Sequence, residues 1–536
     1  MKKLHLFTII LILFINASGQ FIAEYKGLAE ENIHFNAVQA FGDNYIVAGS
    51  EGNKILLCEI DANGNVLSSR HITVVDESTF PGVMSMIVDS DGNIVIVGYR
   101  EFTVYTSTSF AIKYDYNSGI IKWIKTFDNP GSYFHKVIEK GAGGAYIVAG
   151  QSFNPPNGEE GILLSLKRSN GTFTILNNSN YNVNSETYYG VAYKDGNYYT
   201  STRITFATGG TTKLRGSLMK FNNVGTEIYT KAYLRNFTTD AARLYAFDIT
   251  SLNYGLYMSI HGDETGGDVN QDLFLMRATL NGSATWIKNY DLTNYTEDGG
   301  WNGIEINNNK IFAYGSLNDG TTDNKGKVFI MSIDTTGQLN WAKSYPFETS
   351  KTYNHTDAMV AVNSKIIAVG SILDDESLLF KGVFMIVDQE DGDLPEGCAI
   401  SEPVSIINKA KTAYSSTLTP MTNLYTINTP IKINETSDIY LNEKLCDSII
   451  NERLEGEFKL NISPNPIVSS INFEFSINSD YLITIYNNNG QQIFNAYFED
   501  ILHLSIPIED YASGLYSIVV KDLINNNIAT KRIYKN

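Results

Sequence analysis

A glycine recurs seven times at an almost constant interval, and a chain built that way has few folds open to it. It stands in "DANGN", "YNSGI", "RSNGT", "NNVGT", "TLNGS", "TTGQL" and "QEDGD", as Gly64, Gly119, Gly171, Gly225, Gly282, Gly337 and Gly392. Counted from Gly64 to Gly392, the successive spacings are 55, 52, 54, 57, 55 and 55, the mark of one supersecondary unit repeated. Asn or Asp often precedes the glycine, as a tight hairpin with positive φ requires. Each unit opens with a strand holding a small residue ("FNAVQA", "YYGVAY", "WNGIEI"). A second strand ends in "IVAGS", "VIVGY" or "IAVGS", and a long polar loop, a third strand, the glycine hairpin and a fourth strand follow. Four antiparallel strands without a helix make the blade of a β-propeller, whereas solenoid turns repeat at half this length or less.

The expected fold is therefore all-β: a seven-bladed β-propeller spanning 20–395. Pro and Gly in "QEDGDLPEGC" leave the last unit without a fourth strand. The stretch "FIAEYKGLAEENIHFNAV" has the rhythm of a fourth-to-first-strand passage, so residues 21–26 are expected to complete the seventh blade and close the ring. Four to eight residues past the glycines stand Trp123, Lys125, Phe127; Tyr229, Lys231, Tyr233; Trp286, Lys288, Tyr290; and Trp341, Lys343, Tyr345. Spacing by two puts each trio on one strand face, where it reads as packing between blades.

The remaining chain sets the compartment. Lys2 and Lys3 precede the apolar "LFTIILILFI", too short to span a bilayer, and Ala17 and Gly19 place cleavage before Gln20, so 1–19 reads as a signal peptide. No later stretch is long and apolar enough for a transmembrane helix. The net charge of −18, with no basic block, excludes a nucleic-acid partner. Cys58 lies in "ILLCEID" at a register where other units carry Met and is expected in the core. Cys398 and Cys446 lie within a segment, 396–454, read as a linker, flank its polar middle and are expected to form a disulfide in an oxidising compartment.

Beyond that segment the pattern changes to alternating strands without the repeat, the mark of a small β-sandwich. "SPNP" (463–466), "YNNNGQQI" (486–493), "ASGLYSIVV" (512–520) and a terminal "KRIYKN" occur in this order. The set resembles type A C-terminal sorting domains of type IX secretion substrates, over residues 455–536. The resemblance implies an immunoglobulin-like sandwich, passage through the outer membrane of Bacteroidota by the type IX machinery, and release or attachment at the cell surface.

No HExxH, GxSxG, GxxxxGK[ST] or zinc-spaced Cys/His set is present. Carboxylates in "GDETGGDVNQD" (Asp263, Asp268, Asp272) are the weak Ca²⁺ candidates, without EF-hand spacing, and "DSDGN" at 89–93 reads as a hairpin turn. No other cofactor is expected. Just before the small residue of the first strands stand Phe35, Phe80, Phe134, Tyr188 and Trp301. These rings are the candidate ligand-binding rim at the channel mouth, with His34, His135 and His355 nearby; the bland alternative packs them between blades. The expected function is binding of an extracellular polysaccharide or protein. The alternative is a glycan hydrolase or lyase using carboxylates at the channel mouth.

Overall fold

The computed structural model describes residues 20–27, 31–72, 80–101, 107–127, 129, 131–154, 158–179, 186–208, 211–233, 243–253, 255–263, 272–292, 297–318, 327–345, 354–374, 379–394, 399–402, 404–409, 414–416, 439–444, 460–463, 470–487, 492–508, 511–522 and 528–535. The expected signal peptide, the Cys398–Cys446 pair and Asp268 lie outside them, as do the side chains of Asp263 and Asp272. Two compact units divide the chain, 1–446 and 447–536.

In the first unit the repeat becomes antiparallel sheets. Strand β1 (Phe21–Gly27) precedes sheet 1, formed by β2 (Ile33–Phe41), β3 (Asn44–Glu51), β4 (Lys54–Ile60) and β5 (Val66–Ile72). Sheet 2 holds β6 (Phe80–Val88), β7 (Ile94–Glu101), β8 (Thr108–Asp115) and β9 (Ile120–Phe127). Sheet 3 holds β10 (Tyr133–Glu139), β11 (Tyr146–Asn154), β12 (Gly158–Leu166) and β13 (Phe173–Ser179). Sheet 4 holds β14 (Glu186–Lys194), β15 (Asn197–Thr208), β16 (Thr211–Asn222) and β17 (Glu227–Ala232). Sheet 5 holds β18 (Arg243–Leu252), β19 (Gly255–Asp263), β20 (Asp272–Thr279) and β21 (Ala284–Leu292). Sheet 6 holds β22 (Glu297–Asn307), β23 (Lys310–Asn318), β24 (Lys327–Asp334) and β25 (Leu339–Tyr345). Sheet 7 holds β26 (Asn354–Val362), β27 (Lys365–Asp374) and β28 (Leu379–Asp388).

The first strand of each sheet touches the first strands of its neighbours, and β26 touches β2, so the arrangement is propeller-like. Strand β1 pairs antiparallel with β28, from Phe21↔Ile386 to Tyr25↔Gly382, and supplies sheet 7 with its fourth repeat strand.

The glycine hairpins explain why neighbouring sheets hold together. Gly64, Gly225, Gly282, Gly337 and Gly392 have φ between +68° and +87°, where a Cβ is strained. Each also receives the preceding sheet. Tyr25, Tyr233, Tyr290 and Tyr345 donate their hydroxyls to the carbonyls of Gly64, Gly282, Gly337 and Gly392 at 2.7–2.8 Å. Trp123, Trp286 and Trp341 donate their indole N–H to the carbonyls of Arg168, Thr335 and Gln389. Lys288 Nζ adds a bond to the Gly337 carbonyl. The trios therefore clamp β9, β17, β21 and β25 onto the next hairpin. Cys58 is fully buried with Phe35, Val47 and Phe384, the core thiol expected.

The segment read as a linker adds strands to the outer edges. Strand β29 (Ile400–Ser401) pairs with β25, β30 (Val404–Asn408) with β21, and β31 (Tyr414–Ser416) with β17. Strand β32 (Ile439–Lys444) pairs with β1. Composition suggested only a linker because strands this short do not show a period.

The second unit is a five-stranded antiparallel sheet in the order β33 (Leu460–Ser463), β34 (Ser470–Asn487), β36 (Gly514–Asp522), β37 (Ile528–Lys535), with β35 (Gln492–Pro507) also on β34. Its core gathers Ile471, Phe473, Phe475, Tyr481, Ile483, Ile485, Ile518 and Val520. The β34–β35 pairing shifts register around Ser479, which lets two long strands bend.

Candidate functional site in the central cavity

Every first strand carries one residue too many. The pairing of first with second strand shifts at Phe35/Ala37, Val83/Ser85, Phe134/Lys136, Tyr188/Gly190, Ala246/Asp248, Trp301/Gly303 and Thr356/Ala358. The residue left out of the ladder is Asn36, Met84, His135, Tyr189, Phe247, Asn302 or Asp357. A β-bulge re-aims such a side chain, and all seven line one cavity of about 530 Å³ to which the first strand of every repeat sheet contributes. That volume suits a small ligand.

Charged groups converge there. Positions that hold Ala37, Gly190, Gly303 and Ala358 in other sheets hold Lys136 in sheet 3 and Asp248 in sheet 5. Their Nζ and Oδ2 lie 3.1 Å apart, an ion pair that joins sheets 3 and 5. On the intervening sheet a Cβ at Gly190 would fall 2.6 Å from Ser201 Oγ, 2.9 Å from the Ile249 nitrogen and 3.0 Å from the Asp248 Cα, so the bare glycine lets sheets 4 and 5 approach closely. The Asp248 carboxylate also accepts the backbone N–H of Ile249 at 2.9 Å and of Ile304 at 3.4 Å. Burial disfavours the Lys136 ammonium, but Asp248 and Glu305 outweigh it and raise its pKa.

Two further carboxyls line the same cavity. Burial pushes Glu305 up to about 7, against the pull of Lys136, and pushes Asp357 up to about 7. Asn36 Nδ2 stands 3.5 Å from Asp357 Oδ2. Tyr314 reaches in from β23 over Gly303; burial and then Asp248, Glu305 and Asp357 hold its hydroxyl protonated. The cavity thus mixes proton donors and acceptors with walls from Val38, Val137, Val191, Ile249, Ile304 and Met359.

An aromatic column flanks the cavity on sheets 3 to 5. His261 stacks on Phe247 at 4.3 Å between ring centroids, Phe247 stacks on Tyr189 at 4.8 Å, and His135 follows at 5.0 Å. These rings are half-buried. Their faces are occupied by one another, so the column offers its edges and polar atoms. Burial lowers His135 to about 4, leaving a neutral imidazole at neutral pH. Arg203 pairs with Glu159 and lies 5.7 Å from the Tyr245 ring beside the column.

The rings singled out in the sequence sit one residue away. Phe35 and Tyr188 are 0% exposed and Phe134 is 3% exposed. Phe35 covers Gly382 of sheet 7, Tyr188 covers Gly161 of sheet 3, and Phe134 meets Phe127 of sheet 2 at 5.7 Å. A ring enclosed in this way has no face for a ligand; it packs sheet against sheet. The side chains of Phe80, Trp301 and His355 lie outside the described residues, and His34 rests on Phe380 at 4.5 Å. The bulge shifts the channel-facing set from these positions to the next ones, and a strict period of two misses it. The unmatched Lys136 and Asp248 among small residues were the available signal.

At "DSDGN" the Asp89 carboxylate accepts the N–H groups of Asp91 and Asn93, the Tyr146 hydroxyl at 2.6 Å and Lys113 Nζ at 2.8 Å, as a hairpin anchor would. Among the described residues no group of three His, Cys, Asp or Glu is arranged to hold a metal, and no helix is long and apolar enough to cross a membrane.

Solved structures similar to the chain include polysaccharide lyase Uly1, at 9% identity over 69% of this chain and 100% of that one, TM-score 0.44. A Penicillium chrysogenum α-L-arabinanase complexed with arabinobiose matches at 9% identity over 69% and 98%, TM-score 0.37. A protein of unknown function from Bacteroides caccae matches at 12% identity over 61% and 98%, TM-score 0.35. Likenesses this distant carry no argument about chemistry. No curated protein matches the chain. Residues 461–536 match the secretion system C-terminal sorting domain, a type IX tail that indicates secretion, with surface attachment or export.

Proposed function

We propose that this chain is a secreted seven-bladed β-propeller that binds an extracellular saccharide in its central cavity, delivered by a C-terminal immunoglobulin-like sorting domain through the type IX machinery. One observation carries the reading: all seven bulged residues line the same cavity as Lys136, Asp248, Glu305 and Tyr314. Saccharides present donors and acceptors in close alternation, and a cavity with protonated carboxyls, an amide, an ammonium and a phenol answers both kinds. Three carboxyls against one ammonium favour a neutral ligand over an anionic one.

Hydrolysis is the second reading, favoured by Glu305. A carboxyl that keeps its proton near neutrality beside an ion-paired carboxylate is the pattern of a general acid and its partner. Asp248, however, is tied by Lys136 and two backbone N–H groups, an arrangement that orients a group rather than freeing it to attack.

The test is a panel of immobilised neutral and acidic polysaccharides, probed with the secreted protein while reducing ends are recorded. Binding predicts retention without new reducing ends, lost in Lys136→Met. New reducing ends that vanish in Glu305→Gln would replace binding by hydrolysis. Retention that survives Lys136→Met would remove the cavity from the account.

A further inference from the structure

The charges that line the cavity do not balance. Among the described residues Lys136 is its only lysine or arginine, and Asp248 already holds that ammonium at 3.1 Å. Glu305 and Asp357 remain. Neither forms an ion pair with a described residue. Asp357 has Asn36 Nδ2 at 3.5 Å, and the Glu305 carboxyl makes no hydrogen bond to a described residue. Both carboxyls act on the Tyr314 hydroxyl, which places them in one part of the cavity.

Neither acid belongs to the repeat. Glu305 stands two residues past Gly303, where the other sheets carry Gln39, Ile87, Ile138, Ala192, Thr250 and Val360. Asp357 is the one carboxyl among the seven bulged residues. Apolar, small or amide side chains fill most of these positions in the other sheets, so packing does not call for an acid at either place. A buried carboxyl without a cation destabilises the fold, and burial holds both groups up at about 7. Groups kept at such a disadvantage in a cavity are the ones a ligand can use.

Resting on the saccharide reading above, we propose that the cavity selects an amino saccharide, a sugar with free protonated amines, and that Glu305 and Asp357 accept hydrogen bonds from its ammonium groups. An ammonium carries three donors and no acceptor, the complement of a carboxylate that has no cation of its own. A metal ion is the competing cation, but it needs several ligands at one point, and among the described residues no three such groups converge. An ammonium needs only one or two acceptors. The hydroxyls of the same sugar would meet Lys136, Asn36 and Tyr314, and Val38, Ile304 and Met359 give its C–H face an apolar wall.

Matched sugars, set against one another on the full secreted protein, test the inference. The probes are oligomers of glucosamine, galactosamine and mannosamine, their N-acetyl forms and their hydroxyl counterparts. Titration at pH 7 uses about 0.15 M salt, where surface attraction is screened beyond about 8 Å. The expected result is at least tenfold tighter binding of a free-amine member than of both its counterparts, falling to within twofold in the Glu305→Gln/Asp357→Asn double variant. The variant keeps nearly all of the net charge of −18, so attraction to the surface at large would survive it. A preference that persists in the variant would overturn the inference. Equal affinity within every matched set would overturn the amine and leave the saccharide reading standing, whereas binding of no sugar would overturn both. If the double variant does not fold, calorimetry of the parent at pH 6 decides. Amine binding must release protons as Glu305 and Asp357 ionise, a neutral counterpart must release none, and amine binding without release would overturn the inference equally.

Discussion

The outer and inner strands of the same sheets obey opposite rules. On the outside, one device recurs: aromatic, lysine and tyrosine from one sheet close on the hairpin glycine of the next. On the inside, the bulge recurs but its occupant does not, passing from Asn36 and Met84 through His135, Tyr189 and Phe247 to Asn302 and Asp357. Repetition marks what holds the ring; variation at a fixed backbone position marks the cavity of the proposed saccharide site. Energetics point the same way. The outer groups are paired and buried, whereas Glu305 and Asp357 are held away from their ordinary ionisation at a cost to stability.

This contrast can be broken from either side. The largest effect is expected at Gly225→Ala, where a Cβ would stand 1.9 Å from the Leu176 carbonyl oxygen at φ +87°. Urea unfolding should show a loss of about 3 kcal/mol. Gly196→Ala, at φ +75° but in open space, should lose about 1 kcal/mol. Equal losses would mean that packing between sheets is not what the repeated glycine serves.

Glu305→Gln should stabilise the protein at pH 8 by about 1–2 kcal/mol. The sign follows from the raised pKa. Below about 4 the carboxyl is neutral folded and unfolded; between that and about 7 only the unfolded chain ionises, so stability falls as pH rises and then levels. Chemical unfolding from pH 4 to 8 checks it, and the variant's curve should be flatter than that of the parent. Tyr290→Phe removes one hydroxyl from the Gly337 carbonyl and should cost about 1 kcal/mol without affecting saccharide retention. Asn36→Ala should leave stability within about 0.5 kcal/mol and still weaken retention, because its only close polar neighbour described is Asp357 at 3.5 Å.

The outer device was legible in the sequence because it repeats: Gly282, Gly337 and the Trp–Lys–Tyr trios stand at fixed offsets, and residues 21–26 showed the rhythm of the strand they supply. The site was legible only to within one residue. Phe35, Phe134 and Tyr188 drew attention as aromatic and periodic, yet the bulge after each gives the channel to its neighbour. A bulge is set by backbone pairing between strands, which a hydrophobic period does not encode. Glu305 and Asp357 carried no local signal, since their environment is made by sheets far away in sequence, as Asn36 and Asp357 illustrate, 321 positions apart.

The most direct test of the central claim is a crystal structure of the protein with the oligosaccharide it retains best. The account predicts ligand density inside the cavity, within hydrogen-bonding distance of Lys136, Glu305 and Asp357. Density on the outer strands or the C-terminal unit, with the cavity empty, would contradict it.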